Sequence, residues 1–273
     1  MLKNYFTLLA LFACEIALYS ASPLQVAQLT CEYLENPLGI DVQKPRLAWL
    51  FSTTARNQSQ SAYEIQVSKD PKSLEQGKDS PWSTGKVNST QNLHIEYGGV
   101  PLQSFTRYYW KVRVYNQNGE ASEWSKTAWF ETAMLNPADW RGQWINDGSV
   151  QPEKDEQFYG DDPMPLFRKM FTPTKKVTSA RLYLSGLGYS EAYLNGQKIS
   201  ENVLDPGFTT YRKQAFYVVH DLTPHVQKGN NTLGIMLGNG WWNPLPLRLF
   251  SRFNLRDHQE NGRPCLKAEI HLS

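Results

Sequence analysis

The chain has 273 residues, enough for about two domains at the usual ~100–150 residues each. Hydrophobic residues make up 40% and charged residues 20%, which permits a packed core and excludes a chain disordered throughout. The net charge of +2 comes without a basic block and gives no footing for a nucleic-acid partner.

Lys3 supplies a positive start, and residues 5–13 form an apolar run too short to span a membrane as a helix. Residues 1–22 therefore read as an export signal, and the expected location is periplasmic or extracellular. Leu11-Phe12-Ala13-Cys14 resembles a bacterial lipobox in which Phe12 is an unusual occupant. If the box is used, Cys14 becomes the lipidated terminus of a surface lipoprotein, which is the single route to a membrane anchor. The imperfect box and the small residues Ser20-Ala21-Ser22 favour ordinary cleavage. Three cysteines are too few for a disulfide framework. Cys31 and Cys265 fall in different predicted domains and read as free buried thiols. There is no CxxC, no HExxH, no Cys/His cluster and no calcium-loop spacing, so no metal or other cofactor is expected.

Residues 24–135 read as a first domain of short strands. Residues 45–51 and 62–68 are strand-like, the latter with Tyr63, Ile65 and Val67 on one face. Asp70-Pro71 and Pro81-Trp82-Ser83-Thr84-Gly85 read as turns. In residues 108–115, Tyr108, Trp110, Val112 and Val114 alternate with Tyr109, Lys111, Arg113 and Tyr115, and the first set should face the core. Asn116-Gln117-Asn118-Gly119 is a hairpin loop, and residues 122–132 supply the last strand. Roughly seven strands with regular turn signals indicate an immunoglobulin-like sandwich.

Residues 136–163 form a linker. Trp140 and Trp144 predict that its first part docks on a domain, and Asp161-Asp162 reads as a solvated turn rather than a catalytic or metal pair. The second domain covers residues 164–273. Alternating segments at 181–185, 190–194, 215–219 and 232–237 are bounded by Gly, Asn, Asp or Pro. Asn195-Gly196 is a type I′ hairpin signal, because both residues tolerate positive φ. Asp205-Pro206-Gly207 reads as a turn with Gly207 supplying positive φ. Residues 243–250 are broken by proline and predict an ordered loop over a sheet. Residues 262–272 form a strand with Leu266, Ala268, Ile270 and Leu272 on one face. The chain stops there without a turn, so an unpaired edge or open core is expected, as in a shortened version of a longer protein. The fold class is all-β: an immunoglobulin-like sandwich followed by a second, jelly-roll sandwich that is incomplete if the chain is so shortened.

Two resemblances sharpen this outline. The pattern of Tyr108, Trp110, Val112, Val114, Asn116, Gly119, Trp124-Ser125 and Phe130-x-Thr132 resembles a fibronectin type III domain, with Tyr108 as its tyrosine corner. The blocks Ser185-Gly186-Leu187-Gly188-Tyr189, Glu191-Ala192-Tyr193-Leu194-Asn195-Gly196, Leu204-Asp205-Pro206-Gly207-Phe208-Thr209, Tyr211-Arg212 and Leu237-Gly238-Asn239-Gly240-Trp241-Trp242 resemble the N-terminal jelly-roll domain of bacterial α-L-rhamnosidases. Pro165-Leu166-Phe167-Arg168-Lys169-x-Phe171 resembles the first strand of that jelly roll.

The resemblance implies an inverting glycoside hydrolase that releases terminal α-L-rhamnose from plant glycans or glycosides. It implies that the two catalytic carboxylates lie in a helical barrel. No run of amphipathic helices is present, so no catalytic residue is carried over, and this chain alone is expected to lack turnover. The expected partner is a rhamnose-containing carbohydrate. Tyr189, Tyr211, Trp241 and Trp242 are candidate stacking rings, and Asp205, Arg212 and Asn239 are candidate hydrogen-bond partners for hydroxyls. Each has a bland alternative: Asp205 belongs to a turn signature, and Gly238-Asn239-Gly240 suits a tight bend. Tyr193 and Asn195 read as a packed ring and a turn residue. Trp241 and Trp242 stand out because adjacent residues on an extended strand face opposite ways. The alternatives to an enzyme's N-terminal part are a stand-alone carbohydrate-binding module and an inactive structural fragment.

Overall fold

The computed structural model describes residues 24–77, 82–249 and 253–273. The expected export segment at 1–22, with Cys14, lies outside the described residues, as do Pro81 and Phe250 of the predicted turn and loop.

The first sandwich is built from β1 (Gln25–Cys31), β2 (Arg46–Ser52), β3 (Gln60–Ser68), the short helix α1 (Pro71–Glu75), β4 (Trp82–Ser83), β5 (Val87–Asn88), β6 (Ile95–Glu96), β7 (Arg107–Asn116) and β8 (Ala128–Glu131). One sheet has the order β1-β2-β6 and the other β4-β3-β7-β8, with β5 also on β3. Strand β7 shows why the chain folds this way. Tyr108, Trp110, Val112 and Val114 project from one face and are at most 1% exposed, packed against Trp49, Ile65 and Phe130. The Tyr108 hydroxyl accepts a hydrogen bond from the Gln103 backbone N–H at 2.9 Å, which is the geometry of a tyrosine corner. The opposite face of β7 is covered too. Lys111 donates to the Leu74 carbonyl at 2.6 Å, and Lys111 and Arg113 both lie over the Trp124 ring. Burial lowers the pKa of Lys111.

Two predicted turns differ in the structure. Asp70 caps α1, its carboxylate accepting from the Lys72 and Ser73 N–H groups, with Pro71 at the first helical position. Trp82-Ser83 is a strand paired with β3. The cap and the ring packing of Trp82 on Tyr97 outweigh the local turn chemistry.

The second sandwich comprises β9 (Leu166–Phe171), β10 (Ala180–Leu187), β11 (Tyr189–Leu194), β12 (Gln197–Lys198), β13 (Val218–Asp221), β14 (Asn231–Gly238), β15 (Arg248–Leu249), β16 (Phe253–Asn254) and β17 (Cys265–Leu272). Its sheets have the orders β13-β10-β17 and β12-β11-β14-β9, and β15 and β16 form a separate hairpin. Asn195 and Gly196 have φ of +53° and +83°, as a type I′ turn requires. The predicted strand at 215–219 begins later, at Val218, because the Phe216 carbonyl accepts from Ser185 Oγ instead of continuing the ladder. Leu204 (φ +60°) and a cis Asp205–Pro206 peptide form the turn in which positive φ was expected at Gly207. Cys31 and Cys265 are free thiols, and burial pushes the pKa of Cys265 up to about 11.

The segment between the sandwiches packs on the second one. The Arg141 and Gly142 N–H groups both donate to Glu269 Oε1, and Ile145 exchanges backbone hydrogen bonds with Leu266. Asp162 and Asp147 pair with Arg263 at 2.6 and 2.9 Å. Asp162 is thus half of an ion pair rather than part of a solvated turn.

Between the two sandwiches lies a small core of Ala133, Met134 and Tyr183, bordered by Phe105, Trp140 and Tyr217. Beside it Arg181 on β10 donates to both oxygens of Glu131 on β8, at 2.6 and 3.0 Å, and to Asp221 at 2.6 Å. Burial works against the Arg181 charge, but its hydrogen bonds to Glu131 prevail and its pKa is raised. The Glu131→Gln variant leaves a buried guanidinium short of a counter-charge, so we expect a loss of about 2–4 kcal/mol in denaturant unfolding. The double variant Glu131→Gln/Arg181→Met should recover most of that loss. A single-variant effect below about 0.5 kcal/mol would refute a charge-dependent junction.

Candidate functional site

Three loops meet at one end of the second sandwich: residues 204–214, 239–247 and 253–262. Their approach begins with glycine. Gly188 has φ +111°, and a Cβ there would lie 2.1 Å from the Gly238 carbonyl oxygen, so only glycine lets the β10–β11 turn touch the end of β14.

Four rings run across the loops, two of their three contacts edge-on and the Trp241–Phe208 contact tilted. Trp241 and Phe208 have centroids 5.9 Å apart, Phe208 and Tyr211 5.5 Å, and Tyr211 and Trp242 5.3 Å. Trp241 and Phe208 are 47% and 54% exposed. Trp242 is tied down: its Nε1 donates to the Arg263 carbonyl at 2.9 Å, and its ring lies against Gly262. The two tryptophans do diverge, though from a turn rather than from an extended strand. Tyr189 and Trp241 line a cleft of about 530 Å³ with Leu245, Leu247 and Phe253. Burial raises the Tyr211 hydroxyl pKa.

The structure therefore brings Tyr189, Tyr211, Trp241 and Trp242 together and adds Phe208, which sequence reasoning passed over although it stands inside a quoted motif. The predicted polar partners are used elsewhere. Asn239 Oδ1 accepts from the buried Asn243 at 2.8 Å. Asp205 Oδ2 accepts from Asn202 at 2.9 Å, and the Asp205 carbonyl accepts from the Ser190 N–H. Arg212 pairs with Glu260 at 2.9 Å and fastens the 204–214 loop to the 253–262 loop, while its side chain is 77% exposed. Of the three, Arg212 is the one placed beside the rings and open to a ligand. Tyr193 is half-buried with its hydroxyl on Glu191, and Asn195 Oδ1 accepts from the Thr232 N–H.

A residue with no sequence signal holds this end together. Arg256 donates to Asn243 Oδ1, the Pro244 carbonyl and Asn261 Oδ1 at 2.7–2.9 Å, and its guanidinium lies 4.1 Å from the Phe158 ring centroid. Burial lowers its pKa. Gln151 also reaches Asn243, and the Tyr159 hydroxyl reaches the Pro246 carbonyl, so the preceding segment closes over the proline-broken loop.

With this geometry in view, comparison with known proteins is decisive. Residues 26–136 match the family description "Rha78A-like, N-terminal immunoglobulin domain", and residues 175–273 match "Alpha-L-rhamnosidase N-terminal domain". The chain belongs to the α-L-rhamnosidase family, as its N-terminal region. It is 33% identical over 258 residues to an α-L-rhamnosidase of Formosa agariphila, covering 88% of this chain and 27% of the relative. The structure of an α-L-rhamnosidase from Dictyoglumus thermophilum superposes with a TM-score of 0.78 at 31% identity, over 92% of this chain and 27% of that one. A Streptomyces avermitilis α-L-rhamnosidase solved with L-rhamnose shares the fold, with a TM-score of 0.76 at 23% identity over 92% of this chain and 39% of that one. The chain thus spans about a quarter of the length of the curated relatives it matches.

In this rhamnosidase region the separated motif blocks converge. The 185–189 block makes the β10–β11 turn, the 204–209 block carries Phe208, and the 237–242 block ends β14 and carries both tryptophans. Among the described residues the one α-helix has five residues, and no group of three or more His, Cys, Asp or Glu side chains gathers as a metal site would. If Arg256 is the tie between loops, Arg256→Ala should lower stability by about 1–3 kcal/mol and speed limited proteolysis within residues 243–261. Unchanged cleavage would show that the loops hold themselves.

Proposed function

We propose that this chain is the N-terminal, non-catalytic portion of an exported α-L-rhamnosidase. The whole enzyme hydrolyses terminal α-L-rhamnose in plant glycans or glycosides, and this portion offers the ring cluster as a contact for rhamnose-containing carbohydrate. The observation that carries the reading is the match of both sandwiches, in order, to the N-terminal domains of that family. The absence of long helices among the described residues supports assigning the chemistry to another part of such an enzyme. Hydrolysis with inversion needs an acid and a base about 6.5–9.5 Å apart across the bond. Two carboxylates on the loops that carry the rings are already engaged, Glu260 by Arg212 and Asp205 by Asn202.

For the sugar contact, the exposed faces of Trp241 and Phe208 supply apolar area, and Arg212 supplies N–H donors at the edge. A shallow apolar platform with a few polar groups suits the apolar face of a deoxy sugar. Export rests on the charged start and apolar run of the first residues. N-terminal sequencing of the mature protein from the culture fraction would decide between cleavage near Ser22 and lipidation of Cys14.

The purified chain should release no 4-nitrophenol from 4-nitrophenyl α-L-rhamnoside. Calorimetry on the same sample should detect rhamnose, and Trp241→Ala should weaken that binding about tenfold, the worth of one stacked ring at about 1–1.5 kcal/mol. Turnover would sink the non-catalytic reading. Unaltered affinity in the variant would move the contact away from the rings.

A further inference from the structure

The outer face of the first sandwich carries a ring pair that its core does not require. Leu47 and Trp49 of β2 and Ile95 of β6 are buried, which turns Arg46 and Glu96 of the same strands outward, opposite each other in the ladder. Just past β1 the chain reverses over Cys31–Leu34. The backbones of Cys31 and Leu34 exchange hydrogen bonds at 2.9 and 3.1 Å, and the two central residues, Glu32 and Tyr33, have φ of +47° and +69°. Positive φ at both is what a type I′ turn demands. Asn195-Gly196 meets that demand in the second sandwich with residues that tolerate it, whereas Glu32-Tyr33 meets it against the sterics of two long side chains.

The turn brings Tyr33 onto Arg46 and His94. The Tyr33 and His94 rings meet edge-on with centroids 5.6 Å apart, and the Arg46 guanidinium lies 4.8 Å from the Tyr33 centroid. Arg46 donates to the Tyr33 hydroxyl at 3.0 Å, and that hydroxyl is 3.1 Å from His94 Nε2. His94 has positive φ as well, +56°. Both members of one ring pair thus hold a backbone conformation that side chains rarely adopt, and they hold it in water: Tyr33 is 63% exposed and Leu34 beside it 61%. A pair kept for packing would be buried. Strain held at a solvent-facing ring pair marks a surface built to present those rings.

The groups around Tyr33 decide what it is presented to. Arg46 Nε donates to both carboxylate oxygens of Glu32, at 3.2 and 3.1 Å, which neutralises the guanidinium and fixes its plane. Glu96 is exposed, acts on Arg46 through its charge and makes no hydrogen bond among the described residues. One arginine against two carboxylates gives no footing for an anion. A flat ring rimmed by donors on Arg46 and His94 and an acceptor on Glu96 suits an uncharged sugar, its C–H face on the ring and its hydroxyls on the rim. We propose that Tyr33, His94, Arg46 and Glu96 form a second carbohydrate site, on the first sandwich, for a neutral pyranose. It shares with the proposed function the class of ligand but none of the residues.

The test uses the full chain carrying Trp241→Ala, so that the other ring cluster is weakened. The probes are methyl α-L-rhamnoside, methyl β-D-glucoside and methyl β-D-galactoside, with D-galacturonate as the acidic sugar. The aromatic NMR signals of Tyr33 and His94 should shift with at least one neutral glycoside and not with galacturonate. Tyr33→Gly should weaken that binding at least about tenfold while the melting temperature does not fall, since glycine suits the turn. Glu96→Ala, at a carboxylate that holds no neighbour in place, should weaken it at least about threefold with an unchanged circular dichroism spectrum. No shift with any neutral glycoside overturns the proposal, as does a larger shift with galacturonate, or an affinity that neither variant changes. The signals read belong to the first sandwich, so failure of the sugar contact at Trp241 leaves them unmoved and the two readings fail separately.

Discussion

Arg181 and Glu131 face each other at the junction of the two sandwiches with only 6% and 10% of their side chains in water. A buried ion pair is weak evidence of net stability, because desolvation consumes much of the attraction. Its force lies in asymmetry: neither charge tolerates being left alone. Arg107 adds a second guanidinium to Glu131 at 2.9 Å, and Asp221 a second carboxylate to Arg181 at 2.6 Å. Any swing of one sandwich against the other would break both Arg181–Glu131 hydrogen bonds, and would also part Phe105 from the Tyr183 ring it meets edge-on. The junction therefore fixes one relative placement. Strand β10 carries that placement onward, since Arg181 stands near its start and Leu187 at its far end leads into the turn at Gly188. Eight residues of strand span about 25 Å.

At that far end regular structure gives way to loops, and the bonding changes character. Loops lack ladder partners, so their backbone groups must find side chains or water. Arg256, Asn243, Asn254 and Asn261 do this work, and the segment 136–163 lies over them rather than hanging between domains. Arg263 performs the same task nearby, holding Asp147 from within that segment and Asp162 at its end. Guanidinium suits the role: its rigid fork of donors satisfies several acceptors in one plane. The exposed rings thus rest on a braced surface, which limits the ordering entropy a ligand would have to overcome.

Much of this was legible in residue order. The alternation in β7 named its core face correctly, Asn195-Gly196 named its turn, and the spaced motif blocks named the family. What stayed hidden depends on partners distant in sequence. Alternation tells which side chains of β7 point away from the core. It cannot tell that α1 and Trp124 will bury Lys111. Asp162 reads as a turn residue because its partner, Arg263, is 101 positions away. Asn239 and Asp205 have the composition of ligand-binding residues, but the same amide and carboxylate chemistry serves a tight bend equally well, and here the bend uses it. The rings were the more legible part of the candidate site. Burial competes for an aromatic residue: of the adjacent tryptophans, Trp242 is tied to Arg263 and Gly262 while Trp241 stays 47% exposed.

The nature of the ring cluster limits what it can contribute to catalysis. Stacking on a sugar face depends on the apolar area of the ring and does not sense charge developing at the anomeric carbon. Such contact stabilises the bound substrate and the transition state about equally, so it raises affinity without accelerating the bond-breaking step. Acceleration would need a free carboxylate at the edge of the platform. Glu260, on one of the three loops, is paired with Arg212 and so links the loop that presents Phe208 and Tyr211 to residues 253–262.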